Sequence, residues 1–362
     1  MLCSLLAYLP GDDPSKDEAR LLLDTIESLQ QPVEDFQCEF EGQTYHLVKE
    51  VAEQQKLGKD GLAESFSGSF AWRRGGDFRY DRLKRDLTLG GKIMRQAAVV
   101  RMQESRAELY MRMNDEPNGA ARVLHPRQLL ASWDLHSPRD MFLIDELRYD
   151  VNNETHLASV ADDRISGRSV KVLKIGFKIN NVTFRSYWID LSHGGHVVRA
   201  EFYGFKDPTK PSARRDITLA SFKVGDAVMW MPVSAEQANY VTETLKEPGV
   251  REKLYVVNGT MQFNTHPGPE VFTMKYKPGT PISDSLRKLQ YEYGQEKIRE
   301  EPTRAEVEKM LKDQLAEAEK QKSTLVVAQT SAGSGWYAWL PWGFAALVVI
   351  SLAALWIQRR GR

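Results

Sequence analysis

The sequence contains very little cysteine. Its 362 residues include two, Cys3 and Cys38. Cys3 lies in a segment that processing would remove if it is a signal, which leaves one cysteine in the mature chain. One cysteine cannot build a disulfide framework or a thiolate zinc site. We therefore predict no metal centre, and we expect Cys38 to be an ordinary buried residue.

The sequence also lacks net charge. Forty-nine basic residues balance forty-nine acidic ones, so the formal net charge is zero. Domains that bind nucleic acids usually carry an excess of positive charge, and we therefore predict no nucleic-acid partner. The chain is 42% hydrophobic and 27% charged, which is the balance of a folded globular protein.

Common catalytic motifs are missing as well. The sequence has no phosphate-binding loop, no dinucleotide glycine fingerprint, no zincin helix and no nucleophile elbow. Ser285 and Lys288 have the Ser-x-x-Lys spacing without its partner motifs. His193 and His196 flank two glycines, but no further metal ligands lie nearby. We predict that the chain is not an enzyme and binds no cofactor.

One long hydrophobic run is present near the C-terminus. It covers residues 336–357, begins at Trp336, ends at Ile357 and contains no charged residue. As a helix it would be about 33 Å long, enough for a bilayer core of about 30 Å. Tryptophans at both ends are typical of an aromatic belt. The run therefore predicts a single membrane-spanning helix.

The flanking charges predict how this helix is oriented. Residues 358–362 include three arginines, whereas residues 331–335 are small and uncharged. The positive-inside rule then places the C-terminus in the cytoplasm and the large N-terminal domain outside it, in the periplasm. Residues 1–15 include a short apolar run without a basic start. Two interpretations remain: a truncated signal peptide, which we favour, or a tail-anchored protein with a cytoplasmic domain.

The rest of the chain is dominated by strand patterns. Residues 16–30 follow a capping box and predict an amphipathic helix, and residues 303–322 predict a second, highly charged helix. Between them, about ten to twelve segments alternate apolar and polar residues and are joined mostly by short turns. No βαβ rhythm is present. The pattern predicts a mainly β (α+β) protein with an antiparallel sheet.

These patterns divide the chain into five parts. We predict an N-terminal segment (1–15), a β domain (16–300), a charged helix with a Ser/Gly linker (301–335), a transmembrane helix (336–357) and a basic tail (358–362).

Aromatic residues alternate along several predicted strands. Phe66, Phe70 and Trp72 precede a basic, glycine-containing turn, and Phe78 and Tyr80 follow it. One interpretation is an ordinary core beneath a covering helix, which the pattern alone favours. The other is a curved antiparallel sheet whose hydrophobic concave face holds an acyl chain.

Three stretches carry a resemblance to a known family. Residues 66–80 have the form F-x-G-x-F-x-W…F-R-Y, residues 187–190 read YWID ahead of VVRAEF at 197–202, and residues 272–280 read FTMKYKPGT. In this order, after the N-terminal helix, they resemble the LolA/LolB-like family of outer-membrane lipoprotein-sorting proteins over about residues 16–284.

The resemblance implies a particular fold and function. It implies an antiparallel half-barrel covered by helices, with an apolar cavity for lipid, no enzyme activity and no cofactor. Related sensor proteins with this fold detect lipid in the cell envelope or damage to it. The carriers of this family are soluble shuttles, so a membrane helix favours an anchored acceptor or sensor over a carrier.

We therefore predict a membrane-anchored envelope protein that binds lipid or the acyl chains of a lipoprotein by burial. Two alternatives remain open: a non-catalytic interaction or signalling module with a filled core and an envelope protein as partner, and an enzyme with a dispersed site. The candidate lipid-binding residues are Phe66, Phe70, Trp72, Phe78, Tyr80 and Trp188.

Overall fold

A computed structural model describes residues 14–300 apart from 59, 114–115, 117, 131–134, 205–208, 241–246 and 295–297, and it also describes Lys312. The chain divides into two units, residues 1–300 and 301–362. Apart from Lys312, the described residues belong to the first unit.

The predicted N-terminal helix is confirmed as α1, Pro14–Gln30. Its buried stripe consists of Ala19, Leu22, Leu23 and Ile26, whereas Leu21 faces solvent. The other helices are short: α2 (Lys49–Gln54), α3 (Pro126–Leu130), α4 (Arg139–Phe142) and α5 (Ile144–Asn152).

Strands make up most of the described chain. They are β1 (Asp35–His46), β2 (Leu62–Arg73), β3 (Asp77–Asp86), β4 (Lys92–Arg101), β5 (Arg106–Met113), β6 (Ala120–Leu124), β7 (His156–Ile165), β8 (Arg168–Phe177), β9 (Thr183–Asp190), β10 (His196–Tyr203), β11 (Pro211–Val224), β12 (Ala227–Asn239), β13 (Val250–Val256), β14 (Gln262–Phe263), β15 (Pro281–Asp284), β16 (Leu289–Glu292) and β17 (Ile298–Glu300).

All these strands belong to one sheet, and β1 lies at its centre. On one side of β1 the order is β2, β3, β4, β5, β6, β15, β16 and β17. On the other side β13 is followed by β12, β11, β10, β9, β8 and β7, and β14 extends the edge that β13 occupies. The pairing of β6 with β15 is parallel, and the other described pairings are antiparallel.

The predicted half-barrel of about ten to twelve strands is wrong. The protein is mainly β as expected, but the sheet formed by the described residues has 17 strands. The ten to twelve expected segments did not include β12, Ala227–Asn239, where Pro232 interrupts the alternation. In the structure the register shifts beside Pro232, where Leu219 pairs with it, and a register irregularity is where a strand tolerates proline. Residues 272–276, in the stretch FTMKYKPGT that carries the resemblance, were expected to form a strand and do not, because Phe272 ends a 3-10 helix, Pro269–Phe272.

The residues after β14 form a strap across the outer face of the sheet. Phe272 and Met274 of the strap pack on Ala71, Ala97 and Val99 and make a second, smaller core. The guanidinium of Arg79 donates to the carbonyl oxygens of Val271 and Thr273, at 3.1 Å each. The strap thereby covers an outer patch of β2–β4 that water would otherwise wet.

No helix in the described residues is long and apolar enough to span a membrane. This finding corrects the prediction of a single-pass membrane protein with a periplasmic domain, which the structure does not support. The hydrophobic run at 336–357 lies outside the described residues. So do the N-terminal segment up to residue 13, the Ser/Gly linker and the basic tail, and, apart from Lys312, the predicted helix at 303–322.

The position of Phe70 gives a first test. The ring is 2% exposed in the main core, so we expect Phe70→Ala to lower the free energy of unfolding by about 3–5 kcal/mol. The exposed neighbour Ser69 on the same strand is the control, and Ser69→Ala should change stability by less than about 0.5 kcal/mol. Urea denaturation followed by circular dichroism measures both. Unchanged stability of the Phe70 variant would contradict a filled core at this position.

Candidate functional site

The structure brings together five of the six predicted lining residues. Phe66, Phe70 and Trp72 on β2 and Phe78 and Tyr80 on β3 share the inner face of the sheet, where Phe70 pairs with Tyr80 and Trp72 with Phe78. All except Trp72 are buried among other core side chains. In this structure they form packed core, and Trp72 remains partly accessible.

Trp188 lies apart from the other five. Its neighbour Tyr187 points into the main core, so Trp188 points to the opposite face of the sheet. Its indole Nε1 donates to Asp163 at 2.9 Å, and the guanidinium of Arg199 lies 5.8 Å from the ring centroid. This position does not allow it to line a site with Phe70 or Trp72.

A pocket opens beside Trp72, between the end of α1, the inner face of the sheet and the α4–α5 segment. Its volume is about 90 Å³. Phe36 lines it, with its ring centroid 5.5 Å from that of Trp72 and 4.6 Å from that of Phe142. The apolar lining is Val33, Phe36, Trp72, Phe142, Leu143, Ile144, Met229 and Met231.

Most of these lining residues were not singled out from the sequence. Phe36 alternates with Cys38 and Phe40 on β1, and its partner across the sheet is Trp72. Met229 and Met231 lie two residues apart on the same face of β12, a strand that was not expected from the sequence. The alternation on β1 could therefore have identified Phe36 from the sequence. The two methionines can be identified as lining residues only once β12 is known to be a strand.

Charged side chains frame the mouth of the pocket. One nitrogen of Arg74 donates to the carbonyl oxygens of Gln30, Gln31 and Val33 at 2.7–3.0 Å, which satisfies carbonyls at the end of α1. Across the mouth, Arg148 of α5 binds Glu27 of α1 at 2.7 Å. The Arg148–Glu27 ion pair thus links α5 to α1 across the opening.

The break between α4 and α5 shapes the pocket wall. Leu143 has φ = 48°, a left-handed conformation that residues other than glycine rarely adopt. It is buried, and it turns the chain so that Phe142 and Ile144 both face the pocket. Strain of this kind persists only where the surrounding packing holds it.

Behind α4 lies a buried hydrogen-bond chain. Arg215 donates to the carbonyl oxygen of Asp140 at 2.6 Å and to Oε1 of Gln237 at 2.8 Å. Gln237 in turn donates to Glu252 at 3.1 Å, and Glu252 accepts from the backbone N–H of Leu135. The chain fastens α4 and the loop before it to β11, β12 and β13.

A second group of charges lies beneath α5. Asp150 accepts from Arg185 at 2.8 Å and from the Tyr187 hydroxyl at 3.1 Å. Burial raises the pKa of Tyr187 well above its ordinary value. Burial likewise raises the pKa of Glu146, and the positive charges of nearby arginines oppose that shift. An interior with so many hydrogen-bonded charges is not the dry cavity that a long acyl chain requires.

Asp190, Ser192 and His193 contain the residue types of a hydrolase triad but not its geometry. Ser192 donates to Asp190 at 2.6 Å, and the same carboxylate contacts Nδ1 of His193 at 2.8 Å. A catalytic histidine uses one ring nitrogen for the serine and the other for the aspartate. Here both contacts of His193 use Nδ1, so the cluster caps a turn.

His193 and His196, which the sequence offered as possible metal ligands, have different surroundings. The ring of His193 contacts the edge of Trp230, with centroids 4.3 Å apart, while His196 lines the pocket. Within the described ranges, no group of three or more His, Cys, Asp or Glu residues is arranged to hold a metal ion.

His196 is the most perturbed ionisable group in the pocket. It is 2% exposed, and its Nδ1 lies 3.4 Å from the amide nitrogen of Gln30. Burial lowers the pKa of His196 to about 4. The carbonyl oxygen of Trp230 lies near the ring and opposes the shift. The imidazole is therefore neutral at pH 7.

This pKa predicts how stability depends on pH. Between its ordinary pKa of 6.5 and about 4, the unfolded chain binds a proton at His196 that the folded chain does not. The contribution of neutral, buried His196 to the free energy of unfolding should therefore be fully present above pH 6.5. It should fall as the pH decreases towards 4, by up to about 3 kcal/mol. Urea denaturation across this range should show a shallower slope for His196→Gln. An equally steep slope in His196→Gln would contradict the assignment.

Comparisons with known proteins give similarity to solved structures alone, since no protein-family model and no curated protein matches the sequence. A LolA superfamily protein from Nitrosomonas europaea aligns with a TM-score of 0.40 and 12% identity, over 71% of this chain and 97% of that one. An uncharacterised conserved protein from Thermus thermophilus aligns with a TM-score of 0.28 and 10% identity, over 74% and 99%. MucB aligns with a TM-score of 0.17 and 11% identity, over 67% and 92%.

These comparisons confirm the resemblance to LolA-like proteins that the sequence indicated, and they do not show a membrane-anchored form. The TM-scores of these three alignments are below 0.5, so the alignments do not indicate a ligand, a partner or an activity for this chain.

Proposed function

We propose that this chain is a non-catalytic binding protein for lipid or an acylated protein, and that the pocket beside Trp72 admits part of an acyl chain. The observation that supports this is the pocket lining, in which aromatic rings and two methionines surround an opening framed by charges. Methionine adapts its shape to flexible apolar ligands. Acyl carbons bury apolar surface there at about 25 cal/mol per Å².

The size of the pocket limits what it holds in this conformation. Pockets for small molecules usually measure about 300–1,000 Å³, and this one measures about 90 Å³. It therefore admits a few carbon groups, with the remainder of the ligand outside the mouth. A whole acyl chain would require α4 and α5 to move away from the sheet, against the hydrogen bonds of Arg215.

A second candidate function is a protein-interaction module with a filled core. It is favoured by the burial of Phe66, Phe70, Phe78 and Tyr80 in the main core and by the charges beneath α5. Native mass spectrometry of the purified full-length protein separates the two. A co-purifying acylated molecule supports lipid binding. A protein that stays empty after incubation with a total lipid extract favours the interaction module.

A pocket-filling variant tests the proposed site directly. Met231 is buried and lines the pocket, so Met231→Trp should fill much of the space and weaken binding of lauroyl-lysophosphatidylcholine at least about tenfold, a loss of about 1.4 kcal/mol. Val228, on the same strand, is 68% exposed, and Val228→Trp should retain wild-type affinity. Isothermal titration calorimetry measures both.

Stability controls the interpretation of this experiment, because overpacking costs about 1–3 kcal/mol. Both variants are therefore compared by thermal denaturation before titration. A folded Met231→Trp protein that binds the lysophospholipid as tightly as wild type would place the binding site elsewhere.

A further inference from the structure

The turn between β13 and β14 contains an asparagine followed by a glycine. Asn258 and Gly259 are its two central residues, and both are exposed. The N–H of Thr260 donates to the carbonyl oxygen of Val257 at 3.2 Å and closes the turn. Gly259 has φ = 78°, whereas Asn258 keeps a negative φ. This combination is typical of a type II turn, which requires a positive φ at its third residue.

The two ends of this turn are held in place, but its centre is not. The N–H of Val257 donates to the carbonyl oxygen of Glu39 at 2.9 Å, and the N–H of Glu39 donates to Oγ1 of Thr260 at 3.1 Å. A methyl group placed on Gly259 would meet no atom of the described residues within 4 Å. The peptide unit between Asn258 and Gly259 can therefore rotate while the ends stay fixed, because glycine accepts either sign of φ.

This freedom lets the backbone nitrogen of Gly259 approach the side chain of Asn258. We propose that Asn258 is a site of spontaneous deamidation. The nitrogen of Gly259 bonds to Cγ of Asn258, its proton passes to the side-chain amide nitrogen, and ammonia leaves. Water then opens the resulting succinimide ring by breaking one of its two carbon–nitrogen bonds. Attack at Cγ gives aspartate. Attack at the backbone carbonyl carbon gives isoaspartate, in which the main chain runs through the side chain.

The sequence contains a second asparagine followed by glycine, at Asn118 and Gly119, and its surroundings differ. A methyl group placed on Gly119 would lie 2.5 Å from the carbonyl oxygen of Met111 and 2.8 Å from the Tyr110 hydroxyl. The side-chain nitrogen of Asn118 lies 3.3 Å from the position that a methyl group on Gly279 would take. This pair is therefore packed against its neighbours, and the packing opposes the rotation that the reaction requires.

Exposure alone does not make an asparagine reactive in this way. Asn181 is exposed in the turn between β8 and β9, but the residue after it is Val182. The N–H of Val182 donates to Oδ1 of Asn180 at 3.1 Å, so the attacking nitrogen is already engaged. The branched side chain of Val182 also restricts its approach. Asn118 and Asn181 are therefore internal controls, the first for packing and the second for the following residue.

Incubation of the folded full-length protein at mildly alkaline pH tests this inference. Peptide mapping by mass spectrometry measures the loss of each asparagine, and electron-transfer fragmentation separates aspartate from isoaspartate. Asn258 should react at least about tenfold faster than Asn118 or Asn181, a ratio that corresponds to about 1.4 kcal/mol in activation free energy. In concentrated urea, where the packing is lost, Asn118 should approach the rate of Asn258, whereas Asn181 should remain slow.

The reaction should also change stability, because isoaspartate adds a methylene group to the main chain of a turn whose two ends bind Glu39. The strands on either side of this turn, β13 and β14, both pair with β1. Incubated protein should therefore unfold at a lower urea concentration than fresh protein. Asn258→Asp introduces the charge without lengthening the chain, and fresh Asn258→Asp should unfold with wild type. Asn258→Gln forms the cyclic intermediate far more slowly and should keep its stability through the incubation.

The contrary results are equally specific. Equal rates at Asn258 and Asn118 in the folded protein would overturn the inference, since packing would then have no effect. An Asn258 that reacts in urea but not in the folded protein would also overturn it, because the turn would then be held rigid. An equal loss of stability in incubated Asn258→Gln would assign that loss to another site and contradict the expected effect on β1.

Discussion

The hydrogen bonds of Arg215 decide what occupies the inner face of the sheet. Its guanidinium is 2% exposed, lies 5.5 Å from the centroid of Phe202 and donates to the backbone of α4. A buried guanidinium without acceptors would cost several kcal/mol. Docking of α4 against the sheet supplies one acceptor for this charge, the carbonyl oxygen of Asp140, beside the side chain of Gln237. That docking fills most of the inner face and leaves the small pocket at its edge.

The proposed function follows from this constraint. A LolA-like resemblance predicts an open apolar cavity, but the chain fills that region with α4, α5 and hydrogen-bonded charges. What remains accessible to a ligand is the pocket between Phe36, Trp72 and Met231. A binding site at the edge of a filled core selects the end or the head of an amphiphile, since the interior offers no path for a long chain. The proposed function therefore involves only a few carbon groups of the ligand and their polar neighbours.

Local patterns in the sequence predicted local structure well. The period of α1 and the alternation in β2 and β3 are encoded by neighbouring residues, and all three elements occur where expected. The missed features depend on distant partners. Arg215, Gln237 and Glu252 resemble solvent-facing strand residues, and only the pairing of β11, β12 and β13 brings them together inside.

The candidate site could likewise be predicted from the sequence only where it depends on local pattern. Trp72 was identified because aromatic alternation marks the inner face of β2. Apart from Val33 and Phe36, its apolar neighbours in the pocket come from the α4–α5 segment and β12, which the strand pattern of β2 and β3 cannot indicate. Phe66, Phe70, Phe78 and Tyr80 were placed on the correct face, but whether that face is open or filled depends on the segment docked against it.

The central position of β1 has a consequence for how the chain folds. Phe40 of β1 pairs with Val256 of β13. The strands on the two sides of β1 therefore join into one sheet only when residues more than two hundred positions apart meet. Contacts of such high sequence separation slow folding, because loop-closure entropy is lost before the pairing stabilises the chain. During synthesis, the edge of β1 that β13 will cover must wait until nearly the whole domain has left the ribosome. This exposed edge makes the growing chain prone to mispairing and a natural client for chaperones.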